Sequence, residues 1–165
     1  MLYEGQFIMD KKSLKRAQRQ KRKGLKNKKS GRTNTPAKSS PAQMRRDVRN
    51  LRKKTGDLDK EYELSLSTIA NHLDTYTNID PRIKEELVEL GDLLYADRQE
   101  FQDSLDKVDK DIDAFISDDF VGERHDYVCE SFSICSQLQV IGESFGARYA
   151  QCVQTLLKIG KDINL

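Results

Sequence analysis

Few side chains in this sequence are spaced for chemistry. Glu86-x-x-Glu89 and Glu100-x-x-Asp103 are carboxylate pairs three residues apart, a spacing at which two oxygens on one helical turn reach the same Mg²⁺ ion. A metal-dependent enzyme would place such pairs on different helices so that their oxygens converge. Here one periodic segment carries both, 14 residues apart, which is ~21 Å along an α-helix. They cannot share an ion while that helix is unbroken, and a solvated acidic face accounts for them. His125 and Cys129 stand four apart, the helical spacing of two Zn²⁺ ligands. No further ligand completes the set, because Cys135 and Cys152 fall on other faces or far along the rod. With only two histidines no Ser-His-Asp or Cys-His arrangement can be assembled. The nine glycines are scattered and form no phosphate-cradling loop. The chain reads as a non-enzyme, with no metal and no cofactor.

The residues with a clear chemical preference are cations. Lys11, Lys12, Lys15, Arg16, Arg19, Lys21, Arg22, Lys23, Lys26, Lys28 and Lys29 make 11 Lys/Arg in 19 residues. A cation seated at a phosphate releases condensed counterions, so such a run gives salt-sensitive binding to nucleic acid. It carries no aromatic residue to stack on bases and no rigid frame to present an edge-reading fork. Sequence preference is therefore not expected. The cationic character continues through Arg45, Arg46, Arg49, Arg52, Lys53 and Lys54. On a helix Arg45, Arg49 and Arg52 share one face, which fits a phosphate backbone or the acidic second helix of a neighbour.

Two other uses compete for the basic run. KRAQRQKRKGLKNKK would serve as a nuclear address. Leu2, Tyr3, Phe7, Ile8 and Met9 precede the cations, and an apolar tip beside a polybasic run resembles a two-signal membrane anchor. The membrane contact is disfavoured, since the run has only Leu14 and Ala17 to insert over residues 11–23. An anionic leaflet would also repel the rest of the chain.

That rest is acidic. Residues 1–55 hold 19 Lys/Arg and three acids, whereas residues 56–165 hold 10 Lys/Arg and 24 acids. A formal net charge of +2 thus conceals a basic arm on an acidic body. No stretch approaches the ~20 consecutive apolar residues of a membrane-spanning helix. Three cysteines, Cys129, Cys135 and Cys152, are odd in number and lie in one helical segment, unlike a secreted disulfide framework. An intracellular or intra-virion location is expected.

The elements that would position these groups are helical. Residues 1–40 mix charge with Gly, Ser, Thr, Asn and Pro and offer too little apolar surface to offset ordering entropy. They read as a disordered basic arm. Ser40-Pro41-Ala42-Gln43 then supplies an N-cap, a first-turn proline and a capping-box partner. Met44, Val48, Leu51, Thr55, Leu58, Tyr62, Leu66, Ile69, Leu73 and Tyr76 follow at steps of three and four, the helical period. Gly56 is the point at which this helix could kink. Asp80-Pro81 opens a second helix, striped by Ile83, Leu87, Leu90, Leu94, Phe101, Leu105, Val108, Ile112 and Phe115. The third carries Cys135, Leu138, Gly142, Phe145, Tyr149, Cys152, Leu156, Ile159 and Ile163 in unbroken alternation, as in coiled-coil packing.

The expected fold is all-α: an elongated, antiparallel, coiled-coil-like three-helix bundle over 41–165, with helices at about 41–77, 81–117 and 119–163. The third helix has its own contact signal. Gly142, Gly146 and Ala150 recur every four residues, which lets another backbone approach closely. Each glycine costs up to ~1 kcal/mol of helix propensity relative to alanine, so two need a reason. Leu138, Gly142, Phe145, Gly146, Tyr149, Ala150 and Leu156 are the expected helix–helix interface, within one chain or between copies. The expected function is assembly: the body forms a homo-oligomer and the arm gathers nucleic acid, as in scaffolding or packaging proteins, including viral ones. The competing class is an adaptor or assembly chaperone whose acidic second helix binds a basic protein.

Overall fold

The computed structural model describes residues 39–163, so the expectations for the basic arm, and for the cations from Lys11 to Lys29, lie outside the described residues. Three helices follow in order: α1 (Pro41–Thr75), α2 (Pro81–Ile116) and α3 (Arg124–Ile163), with no strand among the described residues. Each helix packs on both of the others, and the fold is the expected all-α three-helix bundle.

The helix starts follow from their caps. The Ser40 hydroxyl accepts from the Gln43 backbone N–H at 3.2 Å, and Asp80 Oδ1 accepts from the Arg82 backbone N–H at 2.8 Å. Pro41 and Pro81 occupy the first turns, where a missing N–H costs nothing. Only half of the expected capping box forms. The Gln43 side chain donates forward to Asp47 Oδ1 at 2.7 Å instead of returning to Ser40.

One boundary and one suspected break differ from the sequence expectation. The third helix begins at Arg124, not 119, because residues 117–123 are spent plugging one end of the bundle. There the Phe120 ring stands edge-on to Phe115 and Tyr127, at 5.4 and 4.9 Å between centroids. The Tyr127 hydroxyl donates to the Phe120 carbonyl, and Asp126 accepts from the Glu123 N–H at 2.8 Å. The first helix runs through Gly56 without interruption. A Cβ on Gly56 would lie 2.6 Å from Arg52 Nη1, so the bare backbone there leaves room for the Arg52 fork.

Cross-contacts fix the directions. Arg52 meets Asp109 and Asp59 meets Arg98, so α1 and α2 run antiparallel. Arg148 meets Glu100, so α2 and α3 also run antiparallel, whereas Tyr62 with Phe145 and Ser65 with Tyr149 make α1 and α3 parallel. The core is one continuous column. Its widest layer is aromatic: Tyr62 lies 6.1 Å from Phe101 and 5.1 Å from Tyr149, and Phe101 lies 5.4 Å from Phe145. Burying each such ring contributes ~1.5–3 kcal/mol.

Candidate interaction surfaces

The three arginines expected on one face of α1 are divided by the structure. Arg45 reaches across to the end of α2, donating from Nε to the Phe115 carbonyl and from Nη2 to the Ser117 carbonyl, both at 3.1 Å. Its guanidinium also sits 5.4 Å from the centre of the Tyr127 ring. No basic residue occupies the last turn of α2, so Arg45 supplies from a neighbouring helix the positive charge that its terminal carbonyls favour. Arg52 makes a two-pronged pair with Asp109 at 2.5 and 2.7 Å. The acidic helix it grips is its own α2. Arg49 is exposed and bonded to no described residue, as are Arg46 and Lys53. At 100° per residue, Arg46, Arg49 and Lys53 form the outward cationic strip of α1.

The acidic groups of α2 are likewise divided between contacts and solvent. Asp97, Glu100 and Asp109 all serve cations of other helices. Arg98 pairs with Asp59 at 2.8 and 3.0 Å, and Gln102 adds a donor to the same carboxylate at 2.9 Å. The Arg98 hydrogen bond holds the Asp59 carboxyl below its ordinary titration range. Asp97 occupies the step between Leu94 and Phe101 in the apolar stripe and is nearly buried. It is tolerated because Arg148 covers it from α3 at 3.3 Å. Glu86 and Glu89 line a cavity of about 570 Å³ between α2 and α3, with Leu90, Leu93, Asp97 and Arg148. Since α2 is unbroken, the Glu86/Glu89 and Glu100/Asp103 pairs stay on separate turns, and Glu100 is taken by Arg148.

On α3 the seam residues pack within the chain. Leu138 is fully buried, Phe145 nearly so, and Tyr149 and Leu156 are partly buried against the core. The Tyr149 hydroxyl lies 2.9 Å from Ser65 Oγ and 3.2 Å from the Glu61 carbonyl, which accepts from it. Tyr62 donates to the Phe145 carbonyl at 3.3 Å, and burial pushes its phenol above the ordinary range. A Cβ on Gly142 would meet Thr55 Cγ2 at 3.7 Å, an ordinary contact. A Cβ on Gly146 would meet nothing within 4 Å, and Ala150 is exposed. Five of the seven expected interface positions are thus used between helices of one chain, and Gly146 and Ala150 lie outside that contact.

Three large apolar side chains that α3 does not use in the bundle stand exposed, Phe132, Val140 and Leu157. Phe132 is 73% exposed and Leu157 62% exposed on α3. Their signal is that they fall off the seam while remaining apolar.

The thiols carry no assembled chemistry. Cys129 Sγ lies 3.4 Å from His125 Nε2, both exposed. Among the described residues no three His, Cys, Asp or Glu side chains are placed to hold a metal. Burial pushes the Cys135 and Cys152 thiols up, which suits small core residues. No described helix is long and apolar enough to cross a membrane.

The fold and surfaces together define a long three-helix bundle in which, among the described residues, every interhelical ion pair involves α2. No protein-family model, curated protein or solved structure matches the chain.

Proposed function

We propose that this chain is a non-enzymatic assembly protein. Its helical body self-associates, and its basic arm binds nucleic acid without sequence preference, a layout suited to scaffolding or packaging. The observation that carries the reading is the charge partition at the start of the bundle. Residues 1–38 hold 13 Lys/Arg against two acids, and residues 39–163 hold 16 Lys/Arg against 25 acids. A body of that sign repels phosphate, so binding falls to the arm and to the strip of Arg46, Arg49 and Lys53 next to it in sequence. One non-specific arm is weak, and several on one particle gain by effective concentration.

The test is a salt titration of binding to a labelled duplex and a labelled single strand. It compares the full chain with a full-length variant whose 11 cations from Lys11 to Lys29 are glutamine. For roughly 6–10 phosphate contacts the wild type should lose about 10³–10⁵ in affinity between 50 and 200 mM salt. The neutralised arm should flatten that slope. Absence of wild-type binding at ~50 mM salt, where phosphate contacts are strong, would discard the nucleic-acid role.

A second reading rests on the groove of Glu86, Glu89 and the half-exposed Leu93. Neither glutamate bonds to a described residue, so the groove suits a cationic, amphipathic segment of a protein partner. Under that reading the body would be an adaptor, and the neutralised arm would leave its capture of a basic peptide unchanged.

A further inference from the structure

We infer that the outward face of α1 over Arg46, Arg49 and Lys53 is a phosphate-binding ridge for double-stranded nucleic acid, and that it gives the chain a preference for duplex over single strand. The inference rests on the nucleic-acid half of the proposed function and names the form of nucleic acid that the body takes.

Position and charge set this ridge apart from an ordinary solvated face. The buried line of α1 runs through Val48, Thr55, Tyr62 and Ile69. At 100° per residue, Arg46, Arg49 and Lys53 lie within about 50° of the opposite direction. All three are exposed and bonded to no described residue, so no intrachain partner competes for them. Between Ala42 and Lys60 the outward positions hold one acid, Asp57, and Lys60 is bonded to it at 3.0 Å. In the adjoining seam Asp109 is held by Arg52 and Asp59 by Arg98. The ridge therefore keeps its positive charge although the body as a whole is acidic.

The form of the polyanion follows from rigidity and from what the ridge lacks. Its cations span seven residue steps, ~10.5 Å at the standard rise, and they are held in a straight row because α1 runs unbroken through Gly56. A duplex is stiff over ~150 base pairs, so its phosphates are already ordered when they meet such a row. A single strand must first be straightened. Single-strand sites offset that cost by stacking bases on aromatic side chains, and the outward positions from Ala42 to Lys60 carry none. A lipid surface is matched less well. Helices that bind anionic bilayers insert large apolar side chains beside their cations, and here the first on this face is Leu64, a turn beyond Lys60. The run from Lys11 to Lys29 serves both forms of nucleic acid, and the ridge adds affinity for the duplex.

The experiment measures binding of the full chain to a DNA duplex of ~24 base pairs and to oligodeoxythymidine of ~48 nucleotides, matched in phosphate number, from ~50 to ~200 mM salt. A ridge variant carries Arg46→Gln, Arg49→Gln and Lys53→Gln. A control carries Lys107→Gln, Lys110→Gln and Lys158→Gln, which removes the same charge at other exposed positions. Wild type and control should bind the duplex at least about fivefold more tightly than the single strand at ~50 mM salt, and the ridge variant should bind the two within about twofold. Three phosphate contacts carry a slope of about 2.7, so over that salt range the wild type should lose up to ~40-fold more duplex affinity than the ridge variant. Circular dichroism and melting temperature should be the same for all three proteins. A ridge variant that keeps the wild-type preference overturns this inference alone, and so does a control that loses it to the same extent. A wild type that binds neither nucleic acid discards the nucleic-acid role and this inference with it. Phosphatidylserine vesicles that hold the wild type and release the ridge variant, with the duplex bound equally by both, would reassign the ridge to a lipid surface.

Discussion

The seam between α1 and α2 and the seam between α1 and α3 solve the same problem with different groups. The first carries two-pronged ion pairs, Arg52 with Asp109 and Arg98 with Asp59, at its solvent edge. The second has no ion pair among the described residues. It is closed by hydroxyls on backbone carbonyls and by ring contacts, Tyr62 on Phe145 and Tyr149 on Ser65 and Glu61. Indeed every interhelical ion pair among the described residues has α2 as a partner. The difference teaches where stability and selectivity reside. Edge ion pairs are screened and worth little each, but they fix which acidic helix lies beside which basic one. The ring-and-hydroxyl seam excludes water and should dominate the free energy.

The largest effect should therefore come from the second seam. Tyr62 is fully buried and touches Phe101 and Tyr149. Tyr62→Ala should cost ~3–5 kcal/mol by loss of transfer energy and creation of a cavity. Tyr62→Phe keeps the ring and removes only the hydroxyl that donates to the Phe145 carbonyl, costing about 1 kcal/mol. Urea unfolding of the two variants measures the ratio. If Tyr62→Ala cost no more than an edge ion pair, the ranking of the seams would be reversed.

The next effect divides the α1 arginines. Arg45 bonds two terminal carbonyls of α2 and lies against Tyr127, so Arg45→Met should destabilise by ~1–2 kcal/mol. Arg49 one turn on touches nothing described, and Arg49→Met should fall within about 0.5 kcal/mol of wild type. Polyanion binding should respond in the reverse order. Losing Arg49 should lower the salt slope by up to about one phosphate contact, and losing Arg45 should leave it unchanged. Equal stability effects would contradict the division of that face.

Much of the bundle is legible from period alone, and the exceptions share a cause. Met44 through Leu73 and Leu87 through Phe115 are buried or partly buried where steps of three and four place them, because a helix's apolar stripe is a local property of the chain. Tyr76 continues the stripe by spacing but stands outside α1, stacked on His72 at 5.7 Å. Ile134, fully buried, is one position ahead of the periodic seam through Cys135. The wide apolar face of α3 lets either serve until α1 and α2 choose. Arg45, Arg49 and Arg52 look equivalent in one dimension. Only the register between α1 and α2 brings two of them to carbonyls and a carboxylate, and register is a property of helix pairs. The same reasoning explains why Gly142 and Gly146 could not be separated beforehand. Spacing places both near the seam, and the position of Thr55 decides which one is covered.

The smallest expected effect tests the ionic seam directly. Asp59 accepts two bonds from Arg98 and one from Gln102, and the Arg98 bonds keep its folded-state titration below the ordinary carboxylate value. A carboxyl whose folded value is depressed contributes stability that is whole above its unfolded value, near pH 4. That contribution is lost as the pH falls through the lower folded value. Asp59→Asn should thus cost up to ~1 kcal/mol at pH 7, with the gap to wild type constant down to about pH 4 and closing below it. Denaturant midpoints of the two proteins at pH 7, 5, 4 and 3 trace the closure. Added salt should narrow the gap only in part, because both side chains are less than one-third exposed, at 29% for Asp59 and 21% for Arg98. A gap that widened on acidification would mean that Asp59 is held as the neutral acid. The α1–α2 seam would then be closed by hydrogen bonding, like its counterpart between α1 and α3.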